Sequence, residues 1–391
     1  MMRPLAITAS GLVTALGAGE AATVGALRDR RSGLRRADFA DVTEGWIGRV
    51  AGVEAHHLPD ALACFDCRNN RLADMALRAD GFADRVRAAA ERYGPARVAV
   101  VVGTSTSGIL ATEDAYFARG PDGTLPLDLD YARTHDLYAL ARYVRAALGL
   151  KGLAMTVSIA CASAARAFID AQRLIAVGLA DAAVVGGADS LCRLTLRGFA
   201  SLDLIASGPT RPGDAARAGI SVGEAAGFAL LEREGDGPLL LGHGASSDGY
   251  HMSAPHPDGA GAIAAMAEAL RRAGVEAASV DYVNLHGTGT RANDTAEDAA
   301  VAAVFGPGVP CSSTKGWTGH ALGAAGIVEA AIAWYAMRAG FAPGALGVTD
   351  PDPAFRARLL TGNVPMPLRR VLSNSFGFGG ANCSLLFGAG A

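Results

Sequence analysis

At 391 residues, half of them hydrophobic, the chain can bury a large core and build two or more domain-sized units. A net charge of −3 argues against a general nucleic-acid binder, and no run of about 18 apolar residues free of polar groups suggests a membrane span. The six cysteines, at 64, 67, 161, 192, 311 and 383, include one Cys-x-x-Cys pair with no second pair at zinc spacing, so no metal site is expected. A large chain without an export signal and with unpaired thiols fits the cytoplasm.

Short apolar strands alternate with Ala-rich helices along the chain. An alternating N-terminal strand enters a helix at Ala21–Arg28. Asn70–Glu91 reads as one long helix and Val98–Val102 as a strand. Pro121–Tyr131 is polar, broken by Pro and Gly, and reads as a surface excursion; a helix follows at Leu137–Ala147. Next come strand Ala154–Ala160, helix Ala164–Val177 and strands Ala182–Gly186 and Ala226–Glu232. Gly235-Asp-Gly-Pro238 is the best junction, dividing the chain into halves 1–235 and 236–391. Beyond it lie helix Ala260–Ala273, strand Tyr282–Leu285, helices Thr295–Phe305 and Ala324–Met337, and strand Val371–Ser373. Such alternation implies α/β architecture, with sheets covered by helices on both faces.

Three segments stand out for chemistry. Met155-Thr-Val-Ser-Ile-Ala-Cys161 is a β-branched run leading into helical spacing at Ala164, Phe168, Ala171 and Ile175. A thiol in the first turn of such a helix feels the dipole and free N–H groups, which lower its pKa. The alternative is a buried structural cysteine. His286-Gly-Thr288-Gly-Thr290 and Lys315-Gly-Trp-Thr-Gly-His320 each place a histidine among small residues at a loop-to-helix junction, where an imidazole can face a cleft. Of 35 basic residues only Lys151 and Lys315 are lysine, so an amine at Lys315 reads as a specific requirement rather than a plain surface charge.

These segments, with the terminal Ser373-Asn-Ser-Phe376-Gly-Phe378-Gly-Gly-Ala-Asn382, resemble the signature segments of elongating β-ketoacyl-acyl-carrier-protein synthases. The resemblance runs from Ile7 to Phe387. It implies the thiolase-like fold, five layers α-β-α-β-α in two similar halves, the first with the nucleophile and the second with two catalytic histidines. It implies decarboxylative Claisen condensation of malonyl-carrier protein with an acyl group held on Cys161, in fatty-acid or polyketide elongation. His286 and His320 would donate to the thioester oxygen. Lys315 would orient its loop or tune His320 together with Glu329. Asp294 and Glu297 would support the His286 loop. No cofactor is implied beyond the phosphopantetheine of the carrier protein.

In the family, the position of Phe378 gates acyl entry, and its backbone N–H joins that of Cys161 in the oxyanion hole; Phe376 belongs to the same loop. An ordinary Gly-rich turn with a packed ring is the competing reading. Thr288 and Thr290 would hold the pantetheine arm, or merely bond within their loop. Alignment of Gly103–Gly108 places Thr106 at the floor of the acyl pocket; the alternative is a hydroxyl bonded to its own backbone. Gly103–Gly108 and Gly219–Gly227 are more similar to ketosynthases of aryl-polyene clusters. Gly213 and Ala218 stand where a Phe and an Asp are common. The expected partners are acyl carrier protein and a second subunit, either a copy of the chain or a chain-length-factor-like homologue. A thiolase-type acyltransferase is the rival activity; it needs a second cysteine as proton donor, for which Cys383 is available.

Overall fold

The computed structural model describes residues 1–126 and 129–390. Two positions of the Pro121–Tyr131 excursion, 127 and 128, lie outside the described residues. The ten principal strands are β1 (Leu5–Thr14), β2 (Val98–Gly103), β3 (Ala154–Val157), β4 (Ala182–Asp189), β5 (Ala225–Glu232), β6 (Leu239–Ser247), β7 (Tyr282–Asn284), β8 (Pro310–Ser312), β9 (Arg370–Gly377) and β10 (Ala381–Gly388).

The first five are ordered β3-β2-β4-β5-β1 and the second five β8-β7-β9-β10-β6. In both sets the three strands at one side run parallel, while the last two pairings are antiparallel. Each half of the chain thus draws the same sheet. The two sheets meet at one corner, where Leu5 and Ala6 of β1 pair with Leu240 and Leu239 of β6. Hydrogen bonding therefore runs through both sheets as one path.

Helices complete five layers. α1 (Arg68–Arg78), α2 (Phe82–Tyr93) and α3 (Tyr138–Ala147) cover the outer face of the first sheet, burying Leu72, Phe82, Val86 and Leu140 against Val98, Val100 and Val102. α4 (Ser163–Ala176) fills the middle, and α5 (Arg193–Ser201) follows β4. α6 (Ala260–Ala273) and α7 (Arg291–Phe305) cover the second sheet through Met266, Leu270 and Val301. α8 (Ala325–Ala339) lies against α4 in the middle layer. Gly326 makes that contact possible, since a Cβ there would stand 2.5 Å from the Ala165 amide nitrogen. The two middle helices, with Phe387 of β10, form a core of Phe168, Ile169, Ile327, Trp334 and Phe387. β2 alternates too: Val98, Val100 and Val102 face outward while Ala99 and Val101 face the middle layer. Its near-continuous apolar run is what a sheet covered on both faces requires.

Helix Ala260–Ala273 falls where the sequence places it. The expected helix Asn70–Glu91 is instead two, α1 and α2, broken at Asp80 and Gly81 with φ of 52° and 70°. The break serves a contact, because the Asp80 carboxylate accepts the Glu20 backbone N–H at the start of helix Gly19–Arg28. Strand β3 stops at Val157 rather than Ala160, and β9 continues past Ser373 to Gly377.

Candidate active site

Cys161 lies between β3 and α4, in the connection that follows the third strand of the first half. His320 lies in the connection between β8 and α8, after the third strand of the second half. The shared topology aims both connections at one cleft. Cys161 Sγ stands 2.9 Å from His320 Nε2. His286, just beyond β7, brings its ring to 5.3 Å from that of His320, nearly perpendicular to it. All three side chains line the cleft.

The thiol is not activated as its sequence context suggests. Cys161 precedes the first turn of α4, which begins at Ser163. Burial pushes the thiol up to about 12, and the opposing Lys315 charge does not offset it. Desolvation is the largest cause of that rise. Both imidazoles are held well below their ordinary range, first by burial and then by the Lys315 charge, so they stay neutral.

Lys315 is almost fully buried; its charge bears on His320, while its direct hydrogen bonds go to Glu329 and His286. Its ammonium donates to the Glu329 carboxylate, to the His286 carbonyl and, at 3.3 Å, to His286 Nδ1. An ammonium has only donors, so His286 Nδ1 must accept and the ring proton sits on Nε2. His320 Nδ1 has no partner among the described residues, so its proton is not pinned to either nitrogen.

Two acids hold the His286 loop. Glu297 accepts the backbone N–H groups of His286 and Gly287 and an Asn374 side-chain N–H. Asp294 accepts Gly289 N–H at 3.2 Å and Gly213 N–H at 3.0 Å. Burial raises Glu297 and Glu329 to about 7 each. Thr288 and Thr290 line the cleft with their hydroxyls 2.9 Å apart.

Phe378 sits beside Gly379 and Gly380, whose φ values are 82° and 78°. Its ring is partly exposed and leans on Phe199 at 5.9 Å, and its backbone N–H is directed at the Cys161 thiol. Phe376 stays inside β9, its ring 6.0 Å from that of His286, and forms a wall of the cleft. Gly377 leaves the space between them open: a Cβ there would stand 3.2 Å from Cys161 N.

Thr106 is a correction. It does not line the cleft at Cys161. It is fully buried, its hydroxyl donating to Asp189 Oδ1 at 2.8 Å and accepting Ser190 N–H at 3.2 Å. The bonds that satisfy it come from Asp189 at the end of β4 and from Ser190 just after it, not from its own backbone. Asp189, which sequence reasoning passed over, was signalled only as an acid closing a small-residue strand. Cys383 packs in the middle core and does not line the cleft, so the proton donor a thiolase needs is missing there.

Cys161, His286 and His320 are, among the described residues, the cluster whose potential metal-ligand atoms lie within 4.8 Å of one another. The surroundings oppose a cation. Lys315 donates to His286 Nδ1, leaving the proton on the nitrogen a metal would need, whereas ligating histidines donate from their second nitrogen.

A thiol beside two neutral imidazoles, on a thiolase-like fold, defines an acyl-transferring condensing enzyme. The chain belongs to the β-ketoacyl synthase family: the N-terminal domain of that family matches residues 2–237 and its C-terminal domain residues 239–349. It is 38% identical over 311 residues to 3-oxoacyl-[acyl-carrier-protein] synthase 2 of Rhizobium meliloti (strain 1021), covering 73% of each chain. With the enzyme of the same name from Vibrio harveyi, identity is 30% over 420 residues and 98% of each is covered. Among solved structures it is similar to a ketosynthase in complex with its chain length factor from Xenorhabdus doucetiae. There the TM-score is 0.91 at 38% identity, over 99% of this chain and 98% of that one.

Proposed function

We propose that the chain extends a carrier-protein-bound acyl group by two carbons, with Cys161 as nucleophile and His286 and His320 as the decarboxylation pair. The observation that carries this reading is the 2.9 Å approach of Cys161 Sγ to the neutral His320 Nε2, with His286 held opposite by Lys315.

In the first stage the thiol attacks an acyl thioester while its proton passes to His320. The carbonyl oxygen becomes an oxyanion facing the backbone N–H groups of Cys161 and Phe378. The carbon–sulfur bond to pantetheine then breaks, and His320 returns the proton to the departing thiolate. In the second stage malonyl thioester loses carbon dioxide. The electron pair of the broken bond becomes an enolate whose oxygen accepts the Nε2–H groups of His286 and His320. The enolate carbon attacks the acyl carbonyl on Cys161, the carbon–sulfur bond to Cys161 breaks, and the Cys161 thiolate takes up a proton from solvent. His320 must accept in one stage and donate in the other, which its unpinned tautomer permits. His286 only donates, which its pinned tautomer enforces.

In this reading Thr288 and Thr290 hold the pantetheine arm, Phe378 swings on its glycines to admit the acyl chain, and Glu329, Asp294 and Glu297 keep the loops in place. The two halves, 1–235 and 236–391, work as a nucleophile unit and a histidine unit, a division supported by their common strand order. The protein acts in the cytoplasm with acyl carrier protein; among the described residues no helix is long and apolar enough to cross a membrane. β3 lies at an outer edge of its sheet and is only partly covered, so a second subunit pairs there. Similarity to a ketosynthase–chain length factor complex over nearly the whole chain favours a chain-length-factor-like homologue as that subunit, and aryl-polyene-type elongation as the pathway. Carbon dioxide release from malonyl-carrier protein, lost on His286→Ala, tests the reaction. Sedimentation of the chain with and without the homologue tests the assembly; a stable, active monomer contradicts it.

A further inference from the structure

Three of the seven non-glycine residues with left-handed φ among the described residues gather in one place. Ala160, at 53°, directly precedes Cys161; Leu322, at 50°, follows His320 by two residues; Ser107, at 43°, ends the loop after β2. Backbone of this kind persists only where its surroundings over-determine it, and it concentrates at functional sites.

What they share is Asp189, the last residue of β4, which is fully buried and, among the described residues, forms no ion pair with a lysine or arginine. Its Oδ1 accepts from the hydroxyls of Thr104 and Thr106 at 2.7 and 2.8 Å and from the Ser105 and Thr106 amides at 2.8 Å each. Thr104 Oγ1 in turn accepts the Ser107 N–H. Ser105 reaches on toward the Ala160 carbonyl at 3.4 Å, beneath the nucleophile. The other Asp189 oxygen, Oδ2, accepts the Gly323 N–H at 2.5 Å, closing the turn that contains Leu322. One carboxylate thus ties the ground under Cys161 to the turn beyond His320, across the boundary between the two halves.

We infer that Asp189 is a positioning residue that sets the separation and facing of Cys161 Sγ and His320 Nε2. The inference rests on the reading that these two groups work together. It gives Asp189 a role in the reaction although it touches no reacting atom: the hydrogen bonds it gathers fix two backbone segments, one beneath the nucleophile and one beyond His320. The site's geometry is then held from behind by charge, where a purely apolar backing would leave five donors unmet.

The test uses the full chain and a bacterial acyl carrier protein charged with malonyl. Asp189→Asn replaces an acceptor with a donor among donors. Its kcat for carbon dioxide release should fall about 10- to 100-fold with KM for the malonyl carrier nearly unchanged, the size of effect a misplacement of about 1 Å produces. In His320→Ala, where the pair is already broken, adding Asp189→Asn should change the rate by less than about twofold. A full further loss in that background would show a general structural role and overturn the inference. A wild-type rate in Asp189→Asn beside a crippled His320→Ala overturns it alone, whereas a wild-type rate in His320→Ala overturns the reading beneath it as well. If Asp189→Asn does not fold, Gly323→Ala decides. That Cβ would stand 2.8 Å from Asp189 Oδ2 and 2.8 Å from Ser105 Oγ, pushing the carboxylate off the turn while leaving its charge and its threonine bonds. The same selective loss of kcat supports the inference, and an unchanged kcat overturns it.

Discussion

The two halves draw the same sheet and use it differently. In each, the loop after the second strand is gathered onto a buried acid by backbone N–H groups: Ser105 and Thr106 onto Asp189, His286 and Gly287 onto Glu297. In each, the connection from the third strand to the middle helix reaches the cleft. In the first half this connection spans only 158–162 and presents a thiol. In the second it spans 313–324, with a helical turn at Lys315–Thr318 that carries an ammonium back under His286 before the chain reaches His320. A short connection suffices for a group that must be rigid and neutral. A longer one is needed to bury a cation with its carboxylate and still deliver a second imidazole.

The comparison breaks most sharply at Cys161. Cys161→Ala should abolish acyl transfer and condensation while leaving the fold intact, since a buried thiol is replaced by a methyl group. Mass spectrometry of the protein after incubation with acyl-carrier protein reads the loss directly, and substantial remaining condensation would contradict the assignment. Next come the histidines. His286→Ala and His320→Ala should each slow carbon dioxide release by about 100-fold or more, the usual effect of losing one oxyanion donor. Acylation of Cys161 should survive better in His286→Ala than in His320→Ala.

Lys315→Met should reduce the decarboxylation rate and stability together. It frees the His286 tautomer and leaves the Glu329 carboxyl buried without its partner; breaking a buried pair costs about 3–5 kcal/mol. Thermal unfolding beside Glu329→Gln separates the two effects, since that variant removes the carboxylate but keeps the amine.

A thiol raised to about 12 is protonated at neutral pH, so in the free enzyme the alkylation rate of Cys161 should climb through pH 7–10 without a plateau. The sign is fixed by burial: raising the pKa shrinks the thiolate fraction at every pH below it. A plateau near pH 7 would mean that the helix end wins after all. The smallest expected effect is that of Thr106→Val, which removes one hydroxyl from Asp189 at a cost of about 1 kcal/mol. Because that hydroxyl does not line the cleft, preference between saturated and aryl-enoyl substrates should stay as in the wild type.

The motif segments and most helices were legible because they are local: spacing reveals Ala260–Ala273, and composition reveals a histidine among glycines. What escaped depends on contacts between distant segments. The break at Asp80–Gly81 answers a helix sixty residues earlier. The Cys161 thiol follows burial, which no window around residue 161 contains. Lysine scarcity drew attention to Lys315, and its Glu329 contact and its charge on His320 follow the sequence reading; the direct bond to His286 did not show in sequence because it depends on β7 and β8 lying side by side. Thr106 was read as part of the floor of the acyl pocket; only the ladder between β2 and β4 reveals that Asp189 claims it.

Strand β10 lies between β9 and β6, in the interior of the second sheet, although it is the last of the ten in sequence. During synthesis the space it fills must stay vacant until every other element of the cleft has been made. β6 is then anchored only at its corner with β1, and β9, with Phe376 at its end, lacks one neighbour. The strand therefore acts as a keystone whose arrival closes the second sheet and sets Phe378 over the thiol.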